Sequence, residues 1–119
     1  MIEDDLRILM ESIAIPVYSR TIPLRADECL SVQAVGGTPI KAGIRRASHT
    51  VTILSASRSK SDAIRNLAIA RDFLITHIPA DINGTHYYTA VPTGDGSTQS
   101  RQANGLFVEF CDMEVVASL

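Results

Sequence analysis

Three histidines and two cysteines are the side chains of this sequence best suited to bind a metal or act as nucleophiles: His49, His77, His86, Cys29 and Cys111. Zinc sites usually show paired ligands at short spacing, such as two histidines four residues apart on a helix, or a CxxC pair. Neither pattern occurs here, so a metal site would need His49, His86 and Cys111 to converge in the folded chain. The sequence therefore predicts no metal and no cofactor.

A nucleophilic cysteine needs a nearby base and an electropositive setting. Cys111 instead has Asp112 beside it and Glu109 two residues away, and both carboxylates would raise its pKa. Cys29 and Cys111 lie in strand-like apolar runs and are predicted to be buried structural thiols. The glycine pairs at 36–37 and 94–96 match no nucleotide-binding loop. The chain is predicted not to be an enzyme and to have no catalytic residues.

Composition excludes several other classes of function. The 119 residues are 45% hydrophobic and 20% charged, which is typical of one globular domain covering 1–119. Eleven basic against thirteen acidic residues, 5% aromatics and no Trp argue against a dedicated nucleic-acid-binding protein. The acidic start of the chain, and the lack of an apolar run near 18 residues, predict a protein of a reducing cytoplasm that makes no membrane contact.

The hydrophobic periodicity places these residues on an α+β fold with the element order α-β-β-α-β-β. We expect an antiparallel, possibly mixed, sheet of about four strands with two helices packed on one face. A short edge segment is expected around Val17 and Tyr18. Two long polar loops are expected at 36–48 and 93–105. The predicted helices and strands are helices 3–14 and 61–78 and strands 29–35, 50–56, 86–92 and 106–116.

The second helix is the most clearly marked element. Ser59-x-x-Asp62 resembles a capping box, and Pro79 ends the helix. Its buried stripe is predicted to comprise Ile64, Leu67, Ala68, Leu74, Ile75 and Ile78. The residues predicted to face away from the core are Arg65, Asn66, Asp72 and Thr76.

The last strand has apolar residues of two parities. Leu106, Val108 and Phe110 would face the core together, but Met113 and Val115 have the opposite parity. A bulge near Cys111 and Asp112 would bring both sets to one core.

Charge is segregated along the chain. Residues 36–60 contain basic side chains and no acidic ones, whereas 106–119 contain Glu109, Asp112 and Glu114 and no basic ones. Opposite charge blocks suit a molecule that meets other copies or a partner through complementary surfaces, although each block is also compatible with an ordinary solvated loop. Strand periodicity places Glu109 on the other face from Asp112 and Glu114 unless the bulge intervenes.

Several segments together resemble the tail terminator proteins of long-tailed bacteriophages, also described as minor capsid or tail completion proteins. The likeness covers about 3–116. It consists of a strand ending in Gly-Gly-x-Pro (36–39), a strand 51–59 that leads directly into a helix 62–74 rich in alanine, and a later aromatic edge, 86–90.

The resemblance implies a virion protein of the tail, assembled in the host bacterial cytoplasm. It implies a homo-oligomeric ring, expected to be a hexamer, that caps the tail tube and joins it to the head connector, with DNA only as passing cargo. A head-to-tail ring needs two complementary patches on each subunit. We predict an oligomer interface formed by Thr38, Ile40, Lys41, Ile44, Arg45, Arg46, Arg58 and Lys60 on one side and Glu109, Asp112 and Glu114 on the other. The predicted contacts to the tube or connector are Asp95, Gln99, Arg101 and Gln102.

Three other functions remain open from the residues. The first is a small α+β module that dimerises and binds a ligand or partner. The second is an enzyme, if His49, His86 and Cys111 converge. The third is a weak nucleic-acid binder that uses the basic block.

Overall fold

The computed structural model describes residues 2–19, 28–39, 46–93, 99–103 and 106–118. These form helices α1 (Ile2–Leu9) and α2 (Lys60–His77), a 3-10 turn at Met10–Ser12, and a mixed sheet. The strands are β1 (Val17–Ser19), β2 (Glu28–Pro39), β3 (Arg46–Ser57), β4 (Ala80–Ile82), β5 (Thr85–Pro92), β6 (Gln99–Ala103) and β7 (Leu106–Ser118).

The expectation of an α+β fold with about four strands in the order α-β-β-α-β-β is wrong. The described chain is mostly sheet, with seven strands that curl into a half-barrel. β1 is the short edge segment expected around Val17 and Tyr18, whereas two other strands were missed because β4 has only three residues and β6 is entirely polar apart from Ala103. Such short or polar segments carry no hydrophobic alternation from which a strand can be predicted.

The sheet has the strand order β1-β2-β3-β7-β5-β4, and β6 pairs with β7 beside β5. β1 runs parallel to β2, and the other pairs are antiparallel. β7 is the centre of the sheet because it is paired along its length with β3 on one side. On its other side it pairs with β5 through 113–117 and with β6 through 106–110.

The two predicted long loops are shorter than expected. β2 continues to Pro39 and β3 begins at Arg46, so much of the predicted loop 36–48 is paired strand. Likewise, residues 99–103 of the predicted loop 93–105 form β6. Backbone hydrogen bonding to a neighbouring strand does not depend on side-chain polarity, so a polar composition did not prevent pairing here.

Helix α2 begins as the capping motif predicts. The Ser59 hydroxyl accepts a hydrogen bond from the Asp62 backbone N–H at 3.4 Å, which satisfies one donor of the first turn. The predicted buried stripe is wrong in part, since Ile64 and Ile75 are exposed and Asn66 is buried. The helix instead packs on the sheet through a row of smaller residues together with two leucines, comprising Ala63, Leu67, Ala70 and Leu74.

The predicted bulge in β7 is wrong. The β3–β7 register runs without a shift from Arg46↔Ser118 to Ser57↔Phe107. The described strands instead shift register in β2 between Ala34 and Gly36, and in β5 between Tyr87 and Thr89.

The two parities of β7 do not share one core. Each belongs to a separate hydrophobic cluster on its own face of the sheet. Cys111, Met113, Val115 and Ala117 belong to the main core, which also contains Leu6, Met10, Leu67 and Leu74 from the helices. The residues of the other parity form a second cluster on the opposite face of the sheet: Cys29, Leu54, Ala56, Leu106 and Val108, with Phe110 packed against them. Both parities are apolar because both faces are buried at this end of the sheet. Among the described residues, neither helix is both long and apolar enough to cross a membrane.

Candidate assembly surfaces

The acidic surface consists of Asp112 and Glu114 on the face of β7 away from the helices, where both are exposed. Thr52 on β3 donates its hydroxyl to Asp112 Oδ1 at 2.6 Å. Glu114 lies between Thr50 of β3 and Val91 of β5 in the register of the sheet. Two neighbouring carboxylates on an open sheet face can bind a basic surface of another molecule.

Glu109 does not join this acidic surface. It faces the helices, and its relative exposure is 0%. Without a bulge, strand alternation puts Glu109 on the opposite face from Asp112 and Glu114.

Of the basic residues in the block 36–60, those that the structure describes lie at two ends of β3. Arg46 begins the strand, whereas Arg58 and Lys60 follow its last residue, Ser57. Eleven steps separate Arg46 from Ser57, which corresponds to roughly 35 Å along an extended strand. These cations therefore form two basic regions and not one. Four expected interface residues lie outside the described residues: Ile40, Lys41, Ile44 and Arg45. Thr38 pairs with Ser48 through β2 and β3.

Arg46 is the first residue in a series of contacts between neighbouring side chains. Its guanidinium lies 3.9 Å from the centroid of the Tyr88 ring. Tyr88 meets the His86 ring edge-to-face at 4.4 Å, and His86 Nδ1 is 2.7 Å from Asp81 Oδ1. Arg46 is thus held by β5 and is not a free end of a basic loop.

Three predicted tube or connector residues, Gln99, Arg101 and Gln102, lie on β6, where their backbones pair with Phe110, Val108 and Phe107 of β7. Asp95 lies outside the described residues. The segment that contains these residues is therefore in part a hairpin strand at the margin of the sheet.

An apolar groove that the sequence did not indicate runs along one flank of α2. It encloses about 440 Å³ between α2 and the turn that follows α1. Ile13 and Ile15 form one wall and Ile69 and Phe73 the other. Below them, Asn66 donates its side-chain amide to Glu28 Oε1 at 2.9 Å.

A smaller pocket of about 350 Å³ lies beneath α1, lined in part by Glu3, Asp5, His49 and Tyr87. Asp5 is nearly fully buried and accepts hydrogen bonds from the Tyr87 hydroxyl and from Asn83 Nδ2, the latter at 2.9 Å. Burial, together with the hydrogen bond and charge of Asp5, raises the pKa of Tyr87 well above its usual range. Tyr87 is therefore a structural hydrogen-bond donor at neutral pH.

The three residues whose convergence would favour an enzyme do not meet. His49 lies opposite Val115, four residues along β7 from Cys111, which is about 13 Å. His86 contacts Asp81 and Tyr88, whereas His49 lines the pocket beneath α1. Within the described ranges, no three His, Cys, Asp or Glu side chains are grouped so that they could hold a metal.

Both cysteines are buried, as predicted. Burial raises the pKa of Cys29 to about 11 and also raises that of Cys111, against which the charge of Arg71 acts. Neither thiol is a thiolate at neutral pH, so neither is an activated nucleophile. His77 ends α2, where its Nδ1 lies 2.9 Å from the Phe73 carbonyl oxygen and its ring stacks on Phe73.

The sequence missed the groove because its residues come from separate parts of the chain. One signal was available: α2 contains more large apolar side chains than one buried stripe can hold, so some of them had to be exposed. The contact between Asp5 and Tyr87 links residues 82 positions apart and leaves no periodic signal.

The fold, a curled mixed sheet with one long helix packed on it, is shared with known structures. The chain superimposes on one from the virion of a native gene transfer agent particle with a TM-score of 0.73, at 11% identity, over 98% of this chain and 94% of that one. A second solved structure, which carries no functional name, matches with a TM-score of 0.57 at 8% identity over 98% and 87% of the two chains. At these identities the likeness shows a common fold. No protein-family model matches the sequence, and no curated protein matches it.

Proposed function

We propose that this chain is a structural protein of a phage-type virion. The observation that carries the proposal is the nearly full-length match to a chain of a gene transfer agent virion, a phage-like particle. The buried, high-pKa thiols and the separated histidines give no support to a catalytic alternative.

Within that class, the resemblance of the sequence supports a tail terminator. In this role the chain forms a ring, expected to be a hexamer, that caps the tail tube and meets the head connector. The exposed acidic pair Asp112 and Glu114, and the basic region at Arg58 and Lys60, provide opposite charges for a head-to-tail contact. Glu109 is left out of this interface because it is buried.

Contact with the tube or connector is assigned to the β6 margin and the segment before it. Gln99, Arg101 and Gln102 remain the proposed contact residues, with Asp95 in the adjoining segment. Replacing 94–98 by a single glycine keeps the register in which Thr93 lies beside Asp112 and Gln99 lies opposite Phe110, so it should spare the paired strands β5, β6 and β7 and reduce binding to tail tubes.

The first test is the mass of the chain in solution, measured by light scattering over a concentration series at low and high salt. Six copies of the 12.9 kDa chain would give a species of about 77 kDa. Salt should weaken it, because screening acts on exposed charges over about 10 Å at 0.1 M ionic strength.

The second test adds purified tail tubes and counts capped tube ends by electron microscopy. Rings at the tube ends support the terminator role, including for a chain that is monomeric alone. A dimer at every concentration that never binds tube ends would instead favour the dimeric ligand- or partner-binding module.

A further inference from the structure

We propose that the apolar groove beside α2 receives the exposed end of β5, Val91–Pro92, from a second copy of this chain. This inference rests on the proposed ring and names its subunit contact.

The groove has the character of a binding surface. Ile69 is 42% exposed in its wall, together with Phe73 and the facing Ile13 and Ile15. Its volume of about 440 Å³ is in the range of pockets that hold small ligands or a few side chains, roughly 300–1,000 Å³. An apolar side chain placed there would remove these carbons from water.

The rim of the groove carries both cations and carboxylates at one end. Arg65 lines it, with its side chain 62% exposed. Glu28, an exposed carboxylate that also lines the groove, is the register partner of Ser57, so Arg58 follows close to this end. Asp62 pairs with Arg65 at 3.3 Å, but an exposed pair three residues apart on a helix contributes little and can exchange partners.

The end of β5 has the complementary properties. Val91 is 49% exposed and lies opposite Glu114, and Pro92 lies opposite Met113, next to Asp112. The segment is held in place because Thr93 N–H donates to the Asp112 carbonyl oxygen at 3.1 Å. This surface therefore places exposed apolar carbons beside two carboxylates, which suits an apolar groove whose rim carries the exposed guanidinium of Arg65.

The positions of the two surfaces also suit a ring. The groove contains Glu28 of β2 and adjoins the β1–β2 side of the sheet, whereas Val91 belongs to β5, on the other side of β3 and β7. Two different surfaces on opposite sides of one subunit are what a head-to-tail ring requires.

A cysteine cross-link tests the contact directly. The I69C and V91C variants are purified separately, mixed, and oxidised mildly. We expect a mixed disulfide dimer, formed at least tenfold faster than in either variant alone. The two native cysteines are buried and leave the background low. The matched control is I64C with V91C, since Ile64 is 44% exposed on the opposite flank of the same helix.

Charge exchange gives a second readout without cysteines. R65E and E114R should each weaken self-association about tenfold, and the double variant should recover most of it, because the pair is restored with reversed signs. R7E is the control, because Arg7 forms a similar exposed pair with Glu11 at 3.3 Å on α1 and does not line the groove.

The results of these experiments distinguish a failure of the groove contact from a failure of the proposed ring. A 77 kDa species without the I69C–V91C link overturns the groove contact and leaves the ring in place. The link in a species that stays smaller supports the contact and counts against the hexamer. A chain that neither associates nor cross-links at high concentration, with or without tail tubes, overturns both.

Discussion

The two ends of β7 differ in what covers the sheet. Along 112–118 one face packs on the helices and the other is exposed or half-exposed, so burial alternates from residue to residue. Along 106–111 both faces are covered, and Val108 and Glu109 are buried one after the other. The same strand is therefore a half-buried strand at one end and a fully buried one at the other, as expected where a sheet curls over itself. A single rule of alternation cannot describe both ends.

The largest loss of stability should come from placing a carboxylate on the outer face of β7, the face away from the helices. Its cost should differ between the fully buried end and the half-exposed end of the strand. V108D buries a carboxylate in the second cluster without a partner, which should cost several kcal/mol, a large part of the roughly 5–15 kcal/mol stability of a domain. V116D adds its charge where the face is half-exposed and should cost less than about 1 kcal/mol. Urea denaturation checks both variants. Equal losses would mean that the outer face is equally covered at both ends.

The next largest loss of stability is expected where α2 packs on the sheet. L74A removes a fully buried side chain and should lower the free energy of unfolding by about 2–5 kcal/mol. I75A, at the adjacent position, removes a side chain that is 42% exposed and should cost under about 1 kcal/mol. Thermal unfolding of the pair distinguishes the observed orientation of α2 from the one that the sequence pattern predicts, in which Ile75 is also buried.

The hydrogen bond between Tyr87 and Asp5 predicts a dependence on alkaline pH. Because the pKa of Tyr87 is raised in the folded chain, folding holds the phenolic proton. Its contribution to stability is complete below about pH 10, the unfolded value, and is lost as the pH rises further. Y87F should cost about 1–3 kcal/mol at pH 7 and reduce the fall above pH 10. Denaturation at pH 7, 9 and 10.5 checks this, and an unchanged slope in Y87F would contradict it.

The smallest effect concerns the start of α2. S59A removes the hydroxyl that accepts from Asp62 N–H and should cost about 1 kcal/mol. S61A, two residues on in the exposed first turn, is the control and should cost less, since the Ser61 hydroxyl contacts only Ser59 among the bonds described. Chemical denaturation of both measures the cap, and equal losses would show that capping contributes nothing here.

Features of the fold were predictable from the sequence where they depend on neighbouring residues, and were not predictable where they depend on distant ones. The cap at Ser59, the end of α2 before Pro79 and the burial of both cysteines follow from neighbouring residues, and all are observed. The orientation of α2 was mispredicted because Asn66, a polar residue, is buried through its bond to Glu28, 38 positions earlier. The candidate surfaces followed the same division: the exposure of Asp112 and Glu114 was predictable from strand parity, whereas the split of the basic residues between the two ends of β3 was not.

The sequence by itself determined the local features: which segments favour helix or strand, where α2 begins and ends, and the separation of opposite charges along the chain. These depend on contacts within a few residues. The tertiary structure alone decided the number of strands, the curl that buries both faces of the sheet at one end, and the groove that joins residues 13–15 to α2. Each of these depends on pairing between distant segments, and a window of neighbouring residues does not specify which distant segment is the partner.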